Sequence, residues 1–289
     1  MNTCIAASDP TATVLAGMSI NVGEILVVTV IFMSVVTLAA WFVFYSGPAA
    51  LAAAPLRRNR VPLYLPFLLL LAWVLGTGAM LWIMLKLFDP AGIRQELLTY
   101  VAAALVEALL AIFIIAIAAF LFQRGLKGFG LDVRTLSRDL RASVANLVAV
   151  LPLVWFGVWA VDVIGKWIVG PTFEIRTSEG LDVLTRSAHV SMRLLMLAFV
   201  VIIVPVFEEV LFRGMLQSTI RGYVRSPWVA VVITSILFAA MHPWHHWPAI
   251  FMLSLGMGYA YERSGSLFRP IFIHIIFNTS NVVAALLAS

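Results

Sequence analysis

Apolar stretches about as long as a bilayer is thick recur along this chain, near residues 24–45, 64–85, 99–122, 145–164, 192–217, 228–244, 246–262 and 270–288. A helix needs about 20 apolar residues to cross the hydrocarbon core, and there each backbone polar group must be satisfied within the protein. The pattern predicts an all-α, polytopic transmembrane helix bundle of about eight spans, forming a single integral membrane domain over residues 1–289. Composition agrees: 62% of residues are apolar and only 11% are charged, against about half and about a quarter in soluble domains. A water-surrounded globule is therefore excluded. The sixth and seventh stretches are short and separated only by the corner from Trp244 to Trp247. They are expected to form a tight helical hairpin, or to be tilted or incomplete. Cys4 is the single cysteine, which leaves no intrachain disulfide and no thiolate metal cage. The first twenty residues hold Asp9 but neither Lys nor Arg; a cleaved signal peptide does not begin in this way, so the first helix is expected to be retained.

A net charge of +5 has a topological explanation, and no nucleic-acid partner is expected. Arg57, Arg58, Arg60, Arg124, Lys127, Arg134, Arg138, Arg141, Arg221 and Arg225 all follow odd-numbered spans. The positive-inside rule assigns them to the cytoplasmic side and both termini to the non-cytoplasmic side of a cell inner membrane or an ER-type membrane. Leu131, Val133, Leu136 and Leu140 alternate with Arg134, Arg138 and Arg141 at helical spacing. That stretch reads as an amphipathic helix on anionic lipid headgroups, or as a cytoplasmic linker helix.

An ionisable group in hydrocarbon is costly unless paired or hydrated, which makes such groups markers of function. Four lie well inside spans: Glu107, Glu208, Glu209 and Arg213. Three of them fall within Glu208-Glu209-Val210-Leu211-Phe212-Arg213. On a helix, Glu209 and Arg213 stand one above the other at i and i+4, whereas Glu208 is turned about 100° away. Glu209 can neutralise Arg213, and Glu208 is left as a general base or acid. The structural alternative is a buried ion network. Glu107 either lines the cavity opposite or pairs with a neighbour in the bundle, the second being preferred.

Later spans carry Phe238-Ala239-Ala240-Met241-His242 and His274-Ile275-Ile276-Phe277-Asn278. His274 and Asn278 share one face of the last helix and can point at one oxygen atom, as Phe238 and His242 share a face of the sixth. Either histidine by itself also fits a hydrogen-bonded packing role. His245 and His246 belong to a solvated aromatic corner. Counted from the cytoplasmic ends, His242 lies about 14 Å deeper than His274 at 1.5 Å per residue, so their meeting requires a tilted or displaced sixth span or a water-filled cavity.

The motifs EExxxR, FxxxH and HxxxN, in that order on successive hydrophobic helices, resemble the CPBP intramembrane proteases, which include Rce1-type CAAX prenyl endopeptidases and bacterial Abi proteins. The resemblance covers residues 190–289, the motif-bearing half. It implies a membrane hydrolase that cuts peptide bonds within or beside the bilayer, in a membrane-embedded or a prenylated, CAAX-type substrate. By position, Glu208 and His242 resemble the pair that activates water, and His274 and Asn278 the pair that stabilises the oxyanion. Glu209 and Arg213 would support them. The chemistry agrees: hydrolysis needs a polarised water, a proton acceptor and donors aimed at the tetrahedral oxygen.

No cofactor is favoured. Zinc held by Glu208, His242 and His274 is the competing reading, though HExxH is absent. The expected partners are a peptide or lipidated-peptide substrate and membrane lipids. Two other functions stay open: a transporter or proton relay using the same buried Glu/His cluster, and an inactive scaffold or immunity member of the family. The first would usually show repeated halves, and no internal repeat is evident.

Overall fold

The structure is a computed structural model that describes residues 22–44, 50–52, 54, 56–88 and 93–288; Cys4 and Asp9 lie outside them. Among the described residues there are helices and no strands beyond one isolated antiparallel bridge, Asn59 to Phe122. The helices are α1 (Val22–Phe44), α2 (Leu65–Phe88), α3 (Ile93–Leu121), α4 (Gly125–Phe129), α5 (Leu136–Val169), α6 (Glu179–Arg186), α7 (Val190–Val224), α8 (Pro227–Ala240), α9 (Trp247–Ser264) and α10 (Phe268–Ala288).

Among the described residues, five segments are long and apolar enough to cross a membrane: Leu65–Phe88, Arg94–Leu121, Val133–Val169, Val190–Val224 and Phe268–Ala288. The chain is an integral membrane protein with a polytopic helical bundle. The sequence predicted about eight spans; the other three are the apolar helices α1, α8 and α9. With 14 residues, α8 reaches only about 21 Å, less than the roughly 30 Å of hydrocarbon. The 18 residues of α9 end in Glu262, Arg263 and Ser264, which dilute its hydropathy. The two pack along each other as a hairpin, joined by the single-turn 3-10 helix Trp244–His246.

The expected amphipathic helix and the fourth span prove to be one helix. α5 runs unbroken for 34 residues with Pro152 inside it. Its first turns keep Leu136 and Leu140 exposed while burying Asp139 and Ser143, as suits a helix that begins in the interface and then dives. α9, α10 and α1 pack against α5.

The middle of α7 is the axis of the bundle. Nearly every side chain from Phe207 to Thr219 is buried, polar ones included, and a helix closed in on all sides is a core helix. α2, α3, α8, α9 and α10 surround it. On the outside, Leu71, Leu75 and Trp82 of α2 and Phe156 and Trp159 of α5 stay exposed, an apolar surface suited to lipid.

The connections after α1, α3, α7 and α9 meet at one end of the bundle. Arg60 N donates to Leu121 O at 2.9 Å and Leu267 N to Gly130 O at 2.9 Å. Asn59 Nδ2 donates to Ser218 O at 3.2 Å, and Arg57 pairs with Glu262 at 3.2 Å. The arginine-rich segments that the charge pattern put on one side are thus contiguous in space.

At Gly157 the backbones of α5 and α9 approach closely. A Cβ there would lie 2.7 Å from Ala249 N and 2.8 Å from Pro248 C, backbone atoms that cannot move aside alone. Gly157→Ala is expected to destabilise the protein by about 1–3 kcal/mol, read as a lower melting temperature of the detergent-solubilised protein.

Candidate active site

α7 is irregular where the acidic residues sit. Glu208 and Glu209 close an ordinary α-helical stretch, Val204–Glu209, flanked by π-helical stretches at Phe199–Ile203 and Val210–Gln217. Widened turns of this kind occur often at functional sites. The first has a readable cause. Pro205 has no N–H, so in a π-helical pattern the carbonyl five residues earlier, that of Val200, loses its donor. Asn278 Nδ2 from α10 supplies one at 2.8 Å. In the second stretch, Thr219 Oγ1 donates to Met215 O at 2.7 Å and Ser218 Oγ to Arg213 O at 3.4 Å.

At the centre, Arg213 is fully buried. Its Nη1 donates to Glu209 Oε1 at 2.8 Å, and its Nη2 to Ser254 Oγ of α9 at 2.7 Å. The guanidinium carbon stands 4.3 Å from the centroid of the Phe238 ring. Charge, hydrogen bonds and ring quadrupole together offset the cost of removing this cation from water. The same Glu209 Oε1 lies 2.9 Å from His274 Nδ1. An ionised carboxylate only accepts, so Nδ1 carries the proton and Nε2, turned toward Glu208, is left as an acceptor. Nε2 is 3.8 Å from Glu208 Oε2, which has no hydrogen-bond partner. That gap is too long for a direct bond, and one water can hydrogen-bond to both atoms.

Glu208, Glu209, Arg213 and His274 therefore form one buried cluster. His242 stands beside it. Its ring lies 5.0 Å from that of Phe238, which is also 6.0 Å from the ring of His274. His242 Nδ1 bonds the Phe238 carbonyl at 2.9 Å, which fixes the proton there and leaves Nε2 as an acceptor. The depth conflict between the two histidines is resolved by α8. Phe238 is eleven residues into α8 and His274 six into α10, so contact between them requires α8 to begin further out or to run inclined. Asn278 spends one amide hydrogen on Val200 O and keeps a second.

Glu107 is part of the same region. Its Oε1 accepts from Trp73 Nε1 at 3.2 Å, its Oε2 is buried without a partner, and it lies within electrostatic range of Glu208. The Trp73 ring packs edge-on against Phe207 at 5.1 Å. Of the two sequence readings of Glu107, the pairing with a neighbour is the one the structure shows, in its bond from Trp73. In the cluster itself two carboxyl groups, Glu208 and Glu209, meet one guanidinium and one imidazole. The carboxyl group in excess is the one suited to hold and release a proton.

Sequence reasoning passed over Ser254 and Trp73, because a lone hydroxyl or indole in an apolar helix is ordinary. The zinc alternative requires Glu208, His242 and His274 on one ion. Among the described residues no three His, Cys, Asp or Glu side chains are grouped to hold one.

Two variants test the architecture. Arg213→Met leaves Glu209 without its guanidinium and is expected to cost about 3–5 kcal/mol of stability; adding Glu209→Gln should recover part of the loss, as thermal denaturation of both proteins would show. Asn278→Leu strips the Val200 carbonyl of its donor and should cost about 1–3 kcal/mol even without substrate, measured in the same way.

Residues 190–280 match the family model described as type II CAAX prenyl endopeptidase, Rce1-like. A protein of Escherichia coli, described as an uncharacterized 24.3 kDa protein, is 28% identical over 124 residues, which is 41% of this chain and 57% of that protein. No solved structure matches this chain. Glu208, Glu209, Arg213 and His274 all lie inside the matched residues 190–280, so the buried cluster falls within the part of the chain that is similar to the Rce1-like family.

Proposed function

We propose that the protein is an intramembrane endopeptidase that hydrolyses a peptide bond with a water activated by Glu208. The observation that carries this reading is the buried convergence of Glu208, Glu209, Arg213 and His274 inside the segment that matches the Rce1-like family. A CAAX-type substrate, a lipidated C-terminal peptide entering from the arginine-rich, cytoplasmic end, agrees with that family. A membrane-embedded peptide agrees with the site's burial.

In the proposed mechanism Glu208 takes a proton from water while the free Nε2 of His242 orients it. The hydroxide oxygen bonds to the scissile carbonyl carbon, and the electron pair of C=O moves to oxygen. His274 Nε2 and the second amide hydrogen of Asn278 donate to this oxyanion. To donate, Nε2 carries the proton of a doubly protonated ring, whose charge is balanced by the carboxylate of Glu209 and by the oxyanion itself. As the tetrahedral adduct collapses, the C–N bond breaks and Glu208 returns its proton to the leaving amine. Glu209 and Arg213 act as positioning residues, one holding the imidazole and the other holding Glu209.

The test is digestion of a library of prenylated and transmembrane peptides by detergent-purified protein, with cut bonds located by mass spectrometry. Glu208→Gln should lower cleavage by about a hundredfold or more while the protein stays folded and membrane-inserted. Cleavage should persist after incubation with a strong chelator; complete loss restored by zinc would assign a metal mechanism instead. A wild type that cuts nothing yet moves protons across vesicles would replace the protease with a proton relay.

A further inference from the structure

The end of the bundle where the basic connections meet encloses a cavity of about 410 Å³ that shares no residue with the buried carboxylate cluster. It is lined by Arg57, Arg58, Arg124, Lys127 and Arg138, with Asp132 as its acidic member. The acid is already engaged: Arg134 donates to both oxygens of Asp132, from Nε at 2.9 Å and from Nη2 at 2.6 Å. These bonds hold the Asp132 carboxyl well below the usual carboxylate range. Arg57 is balanced by Glu262 at 3.2 Å. The carboxylate nearest Arg138 is Asp139, at 3.8 Å, and Arg269 holds that group at 2.8 Å. Arg58, Arg124 and Lys127 have no carboxylate within ion-pair distance among the described residues. In the wall, Arg57 Nε is a buried donor without an acceptor. The frame is fixed by Gln123 N to Arg58 O at 3.1 Å and Leu267 N to Gly130 O at 2.9 Å. Unspent cations converging on a framed cavity are a site for a multivalent anion, and an oxyanion with several acceptor atoms suits guanidinium donors best.

Position in the fold selects the kind of anion. The cavity lies where α3 and α9 end and α5 and α10 begin, the level of lipid headgroups on spans of this length. Exposed Leu126, Val133, Leu136 and Leu140 sit on the same segments as its lining residues. A free anion has no use for such an apolar border, whereas a phospholipid brings a phosphate and acyl chains together. We propose that this cavity binds the phosphate headgroup of an anionic membrane phospholipid, whose acyl chains cover Leu126, Val133, Leu136 and Leu140. Arg58, Arg124 and Lys127 contact the phosphate, and the bound lipid ties the α3–α5 connection to the α9–α10 turn.

Native mass spectrometry of the full chain in detergent, titrated with dioleoyl phosphatidylglycerol or dioleoyl phosphatidylcholine, tests this. Wild type should prefer phosphatidylglycerol by about tenfold, and Arg124→Gln/Lys127→Gln should lose that preference with an affinity loss of about ten- to thirtyfold. These side chains are exposed, so the variant should keep its melting temperature. Lys86→Gln/Arg94→Gln removes the same charge at the opposite end and should keep the preference. Equal binding of both lipids by wild type, or undiminished phosphatidylglycerol binding by Arg124→Gln/Lys127→Gln, would overturn the proposal. A calorimetric titration with inorganic phosphate supplies the other arm: saturable phosphate binding without preference between the lipids would give the cavity to a soluble phosphate and remove the lipid.

Discussion

A guanidinium in the middle of a membrane bundle is stable only where its charge is met, and Glu209 meets that of Arg213 from one turn away. The same carboxylate oxygen holds the imidazole of His274. One acidic group thus joins α7 to α10 and, through Arg213 and Ser254, to α9. Three helices are registered against one another by directional bonds where apolar packing alone would allow sliding. Glu208, left out of these bonds, is delivered to the face of His274 as a by-product of that registration.

The arginine-rich end does comparable work by other means. Arg57 lies 3.7 Å over the Tyr261 ring and pairs with Glu262, while Gln217 Nε2 donates to Glu262 at 3.0 Å. Tyr261 Oη donates to the carbonyl of Phe129 at 2.9 Å. The connections are pinned to α7 and α9 rather than hanging from them. Polar joints therefore close the bundle at its basic end and at its middle, with apolar packing between.

Much of this was legible in the sequence because it depends on local periodicity. Apolar stretches fixed helix identity, and the four-residue spacing of Glu209 and Arg213 suffices for their contact even in a π-helical turn. What stayed hidden depends on relations between helices. That α5 is one continuous helix could not be read from its change of amphipathic character near residue 141. The proximity of Phe238 to His274 rests on the depth and inclination of α8, which hydropathy does not encode. Asn278 was read as a donor to an oxyanion, yet one of its hydrogens serves Val200; the signal was Pro205, whose missing N–H orphans that carbonyl only once the turn is π-helical. Glu107 showed its cost in the sequence but not its partner, since Trp73 comes from another helix.

The brevity of α8 has a consequence for the surrounding bilayer. A helix of 14 residues leaves about 9 Å of hydrocarbon unspanned, and the gap opens where the chain turns at His242. Hydrophobic mismatch of this size is relieved by local thinning, which draws headgroups and solvent inward. The protein would then dent the membrane beside its buried carboxylate cluster, so that acyl-chain length in the host bilayer sets how readily water arrives there.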